Sequence, residues 1–267
     1  MLRLDAYKLK WIAIIGMVLN HMVFALWGAL PLWLAFPMYA AGGVTFPIMA
    51  YFVVEGYKHT SNLKKYLFRL CIFGIISIPF HILVFRGGIG VNIMFTIMLS
   101  LLALVMYDKI KSPVVFWILF VILLAISTML VMDWYIIGPV VVIMYYIIKK
   151  ENVRRLLPGI VAGVFWFVFL GLGLLGLIAT EAMIEAGYEA EIMTGGMAMD
   201  FFTVEFFTVA MTFIVGCIIG AVLIRGYNGE RGKRMKWLFY AFYPLHLAIL
   251  AAVSLTLGLA GFDLLGL

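Results

Sequence analysis

Charged residues are scarce in this 267-residue sequence, at 12%, against 66% hydrophobic ones. A soluble domain carries about 25% charged residues, so the shortage excludes a chain that lives wholly in water. Cysteine is nearly absent: only Cys71 and Cys217 occur, each inside an apolar run, which leaves no disulfide framework and no Cys-x-x-Cys metal pair. No His-Glu-x-x-His signature occurs either, and no catalytic metal is expected. The formal charge of +6 does not point to nucleic acid, because the basic residues are spread between apolar runs and form no groove interleaved with stacking aromatics. Internal repeats are lacking as well, which counts against the two-halved build common among secondary transporters.

Apolar runs are what the chain has in quantity. A bilayer core about 30 Å thick takes about 20 helical residues, and about nine such runs fall near 11–30, 37–54, 66–85, 92–107, 114–132, 134–148, 157–179, 202–224 and 238–258. The expected fold is all-α: a polytopic membrane helix bundle forming a single domain over 1–267. All but Arg86 of the 19 basic residues fall in alternate connecting segments, and the acids Glu181, Glu185, Glu189, Glu191 and Asp200 gather on the other side. Cytoplasmic segments carry the Lys and Arg excess, so the N-terminus is expected inside and the C-terminus outside. No small-residue cleavage pattern follows the first run, which is read as a retained span. Thr180 to Asp200, with Gly195-Gly196, is the one long non-membrane stretch, and Met183, Ile184, Tyr188, Ile192 and Met193 are spaced for one face of an interfacial helix.

An ionisable residue within a span is a functional candidate by default. His21 is the first of these, expected about halfway across the bilayer, in a first run almost free of ionisable groups. Lys10 precedes it by eleven residues, about 16 Å of helix and nearly a whole number of turns, so both lie on one face. A neutral imidazole there suits general-base work; the plainer reading is a buried histidine satisfied by a neighbour. In the last run Tyr243 and His246 are three apart and share a helix face, at a depth matching His21. Pro244 between them is expected to bend the helix and free the carbonyl of Tyr240.

A third group closes the second run: Glu55, Lys58 and His59, followed by Lys64, Lys65, Tyr66 and Arg69. A Glu55–Arg69 pair bridging two helices is the structural reading. A pocket for phosphates built from Lys10, Lys58, Lys64, Lys65 and Arg69 is the functional one, since Arg gives bidentate contacts to such anions. On the other side, His81, Asn92 and the tight turn Asp133-Trp134-Tyr135 read as helix caps or interface anchors.

These residues sit in blocks that resemble the TraX family, related to pilin acetylases. The blocks are Leu4 through Lys10 leading to Asn20-His21, Thr45-Phe46-Pro47-Ile48, Val53 through Thr60, Lys64-Lys65-Tyr66 to Arg69, Asn92 to Thr96, Tyr227 through Gly232, and Phe239 through His246. The basic residue, ten positions and His of the first run also resemble the acyltransferase-3 group of membrane acyltransferases. The resemblance implies an acetyltransferase in the inner membrane of a prokaryote, taking acetyl from acetyl-CoA to an envelope peptide or glycan. It implies His21 as catalytic histidine, Tyr243 and His246 completing the site, Tyr243 or Asn92 donating to the developing oxyanion, and Lys10, Glu55, Lys58, His59, Lys65 and Arg69 on the CoA side. Asn20 and His81 depart from the family pattern, which is often acidic at both positions. Two other readings remain open: a proton-coupled transporter or channel using His21, His246 and Glu55, and a scaffold in which these groups join helices.

Overall fold

The structure, a computed structural model, describes residues 3–26, 28–85, 90–185, 204–233 and 236–259, and only the backbone of 173–185, 204–207 and 236. Among the described residues there are nine helices and no strands: α1 Ala6–Ala25, α2 Leu32–His59, α3 Leu63–Val84, α4 Ile93–Lys109, α5 Pro113–Met129, α6 Ile137–Ile147, α7 Glu151–Glu185, α8 Val204–Arg225 and α9 Lys236–Thr256. Six of them, α1, α2, α3, α7, α8 and α9, contain a stretch long and apolar enough to cross a membrane. The expected all-α membrane bundle is therefore what the chain forms. The remaining three are shorter: α4 and α5 have 17 residues each, and α6 has 11 residues, about 16 Å of helix. Arg86 and the acidic segment from 186 to 200 lie outside the described residues.

Short polar residues set the helix starts by accepting a backbone N–H that the first turn leaves unpaired. Asp5 accepts from Lys8 N at 2.8 Å, Asn62 from Lys65 N at 2.8 Å, and Asn92 from Met94 N at 3.1 Å. Ser112 caps α5, with Pro113 at the position where a missing N–H costs nothing. The Asp5 cap has a consequence for α1. The helix begins in the charged stretch, before Trp11, and ends at Ala25, five residues earlier at both ends than the apolar run suggested.

Three-residue connections at 60–62, 110–112 and 148–150 reverse the chain, so the ends rich in Lys and Arg gather at one end of the bundle. At that end Leu4 and Tyr227 form an isolated parallel bridge, with Leu4 N donating to Gly226 O at 2.9 Å and Asn228 N to Leu4 O at 3.0 Å. This ties the chain start to the segment after α8. A second bridge, Val91 to Met132, closes the opposite end.

The tightest helix contact joins α2 and α8. A Cβ on Gly216 would collide with the Ala40 backbone carbonyl, and one on Gly220 would lie 2.7 Å from Val44 O. The two backbones touch because Gly216 and Gly220 are four apart on one face, the small-residue spacing that lets membrane helices approach closely. Gly216→Ala is therefore expected to destabilise the detergent-solubilised protein by about 1–3 kcal/mol through overpacking. Gly171→Ala, with nothing within 4 Å, is expected to leave stability unchanged. A thermal-shift comparison of the two variants checks the contact, and equal unfolding temperatures would refute it.

Candidate functional site

The first and last helices meet through a histidine pair. His21 Nδ1 on α1 lies 2.8 Å from His246 Nε2 on α9, the rings 5.0 Å apart and nearly parallel at 15°. His246 Nδ1 lies 2.9 Å from the Phe242 carbonyl. A carbonyl can only accept, so His246 Nδ1 carries the hydrogen. In the neutral pair His246 Nε2 is then the acceptor, His21 Nδ1 donates to it, and His21 Nε2 is left with a bare lone pair. α9 runs unbroken through Pro244 from Lys236 to Thr256, so His246 reaches Phe242 within one continuous helix.

The pair lies away from the centre of α1. With the helix starting at Ala6, His21 is about 22 Å from its beginning and one turn from its end. His246 sits near the middle of its own helix. Tyr243 packs edge-on to both rings, 6.4 Å from His21 and 5.4 Å from His246, and its hydroxyl lies against the Ile93 backbone N–H at the start of α4. Phe85 closes another side, 5.3 Å from His21 and 4.5 Å from His81. The groups around the pair thus come from α1, the last turn of α3 and its cap Phe85, α9, and the backbone at the head of α4.

Asn92 is engaged differently from the expected oxyanion donor. Its Nδ2 donates to Gly74 O at 2.9 Å and its Oδ1 caps α4 at Met94 N, with the residue 1% exposed. These bonds make it a brace between α3 and α4. Asn20, beside His21, donates to Tyr39 O at 3.4 Å and ties α1 to α2.

At the basic end of the bundle Lys10 and Arg69 meet neighbouring rings of α9. Lys10 Nζ lies 5.2 Å from the Phe239 ring and 5.0 Å from Phe52, and the Arg69 guanidinium lies 5.3 Å from Tyr240. Arg69 Nε is buried with no hydrogen bond. The expected Glu55–Arg69 bridge is not formed. Glu55 lies 4.0 Å from Arg154 of α7, 3.6 Å from Lys58 and 3.8 Å from His59, because α7 rather than α3 brings a guanidinium to it. Lys58 and His59 therefore belong to this ion cluster, and Lys65 supplies its backbone N–H to the Asn62 cap.

Two groups here were not singled out from sequence. Arg154 is one of the basic residues between apolar runs, and its place near the start of the apolar helix α7 is the signal that marks it. Asp108 sits at the end of α4 and accepts from Tyr57 at 2.7 Å and Tyr146 at 2.8 Å; beside Lys109 it has no sequence signal of its own. Tyr227, in the segment that clasps Leu4, has its phenol pushed up by burial and then by the Glu55 charge, so it stays a neutral donor near pH 7. Among the described residues no group of three or more His, Cys, Asp or Glu side chains could hold a metal ion.

A multi-helix membrane protein with a hydrogen-bonded histidine pair joining its first and last helices is the class these features define. The chain belongs to the TraX family: the family described as TraX protein matches residues 6–254. It is similar to a protein of Dichelobacter nodosus named "Probable fimbrial assembly protein FimC, serogroup H1", with 29% identity over 270 residues covering 95% of this chain and 97% of that one. No solved structure matches it.

If Asn92 is a brace, Asn92→Ala strands the Met94 N–H and removes the tie to α3, costing about 1–3 kcal/mol. Asn92→Asp, which keeps the cap acceptor but not the donor, is expected to fall between the two. Unfolding temperatures of wild type and both variants check the order.

Proposed function

We propose that the protein is a membrane-embedded acetyltransferase that moves an acetyl group from acetyl-CoA to an amine or hydroxyl acceptor at the cell envelope, a peptide N-terminus or a glycan. The observation that carries this reading is the His21–His246 hydrogen bond. It fixes the tautomer of His21 and leaves Nε2 as a proton acceptor, as an orienting partner does for a general base. His21 takes the acceptor's proton as the acceptor attacks the thioester carbonyl. The Tyr243 hydroxyl, edge-on to both rings, is the nearby group able to donate to the developing oxyanion.

Lys10 and Arg69 serve the CoA phosphates in this scheme. They lie at the basic end, which the positive-inside rule assigns to the cytosol, in the inner membrane of a bacterium. From Lys10 to His21 is about 16 Å along α1, a distance the extended pantetheine arm covers. Glu55 is set apart from this path by its cluster with Arg154.

Acetyl-CoA labelled in the acetyl group, given to purified protein in lipid nanodiscs, tests the proposal. His21→Ala is expected to lower turnover by about 10²–10⁴-fold, the usual worth of a positioned base, with the fold retained. Lys10→Met and Arg69→Met are each expected to raise the KM for acetyl-CoA about tenfold, the loss of one charge-assisted contact of about 1.5 kcal/mol, with kcat little changed. Turnover indifferent to His21→Ala refutes the scheme, and proton-coupled flux into vesicles without acetyl turnover replaces it with transport.

A further inference from the structure

We propose that His81 and Asp133 carry protons between the aqueous surface at the His21 end of the bundle and the His21–His246 pair. His81 occupies the last turn of α3 and is 4% exposed. Its Nε2 is sealed from solvent, makes no hydrogen bond, and faces Asp133 Oδ2 at 3.5 Å. A buried polar atom left in this state costs about 1–3 kcal/mol, so its position asks for a role. The Asp133 side chain is 32% exposed and meets solvent where His81 does not. On its other side His81 contacts Phe85, whose ring also touches His21. The phenyl ring cannot carry a proton, so the relay requires a bridging water along Phe85.

The turn that presents Asp133 is strained and heavily pinned. Val131, Trp134 and Tyr135 have φ of 47°, 66° and 37°, a region that costs non-glycine residues about 1–3 kcal/mol each and persists only where the surroundings impose it. The surroundings do so. Asp133 N donates to Val91 O at 2.9 Å, Thr96 donates to Asp133 O at 2.6 Å, Ser127 to Tyr135 O at 2.8 Å, and Trp134 stacks on Phe46 at 3.5 Å. Simple chain reversal needs none of this, whereas holding one carboxylate over one buried imidazole does.

The titratable groups around His81 are few. Asp133 faces it from the turn, His21 of α1 is near enough to feel its charge, and Tyr243 of α9 and Tyr135 of the turn lie near Asp133. Burial, aided by Asp133, pushes the Tyr135 phenol up, so it stays protonated and takes no proton. The fate of the proton rests on the acetyl-transfer reading. With an ammonium acceptor the C–N bond forms and the C–S bond breaks, the thiolate takes one of the two protons the nitrogen gives up, and the second leaves through His21, His81 and Asp133. With a hydroxyl acceptor the single proton ends on sulfur, and the relay only sets the protonation of His21.

The chain has four histidines, so ¹⁵N-histidine labelling resolves them by single substitution. Exchange of the His21 and His246 imidazole N–H with water is measured in nanodiscs without acetyl-CoA. His81→Gln and Asp133→Asn are each expected to slow it by on the order of 10²-fold, the effect of losing one positioned proton carrier, and Asp133→Glu to restore it. Unchanged exchange in folded His81→Gln overturns the relay, and Asp133→Asn decides the matter if that variant does not fold. Slowed exchange with no acetyl turnover in any protein keeps the relay and removes the enzyme reading; turnover with unchanged exchange does the reverse.

Discussion

A neutral imidazole has one hydrogen and one lone pair, and the site follows from how His246 spends them. Its Nδ1 hydrogen goes to Phe242 O, leaving Nε2 only able to accept, and the group that donates is His21. Within a membrane bundle neither nitrogen can turn to water, and an unpaired one costs about 1–3 kcal/mol. That penalty obliges α1 and α9, the two ends of the chain, to lie side by side. Thr45, which donates to Ala13 O at 2.9 Å, and the Leu4–Tyr227 bridge hold α1 on its other flanks, so His21 approaches from one direction.

The helices were legible because length and apolarity are local properties. Their ends were less so. The apolar run begins at Trp11, whereas the Asp5 cap begins the helix at Ala6, because a backbone cap can outweigh the two charged side chains, Lys8 and Lys10, lying at a wet surface. The histidine pair was also legible, since helical arithmetic puts His21 on the face of Lys10, and Tyr243 shares a face with His246. Partners set by packing were not. Nothing in the sequence says that Glu55 meets α7 rather than α3, or that Asn92 spends its amide on Gly74. His81 and Asp133 are about fifty residues apart, and the turn is held over the end of α3 by the Val91–Met132 bridge and by Thr96 donating to Asp133 O, neither of which has a sequence signature.

The positive-inside pattern explains why so many cations gather at one end, but not which of them are left to meet an anion. The carboxylates take some of them. Glu151 engages Arg154 and Arg155, and Arg155 also donates to the carbonyls of Arg225 and Tyr227. Glu55 occupies Lys58 and His59. Among the described residues Lys10 and Arg69 have no carboxylate within 4.0 Å and rest on ring faces instead. An aromatic face attracts a cation without neutralising it. These two charges therefore keep their field, on the two helices that flank α9, the helix that also carries His246. For the acetyl transfer proposed above, this would draw a phosphate-bearing donor to the end of the helix that carries His246, which a set of surface lysines would not do.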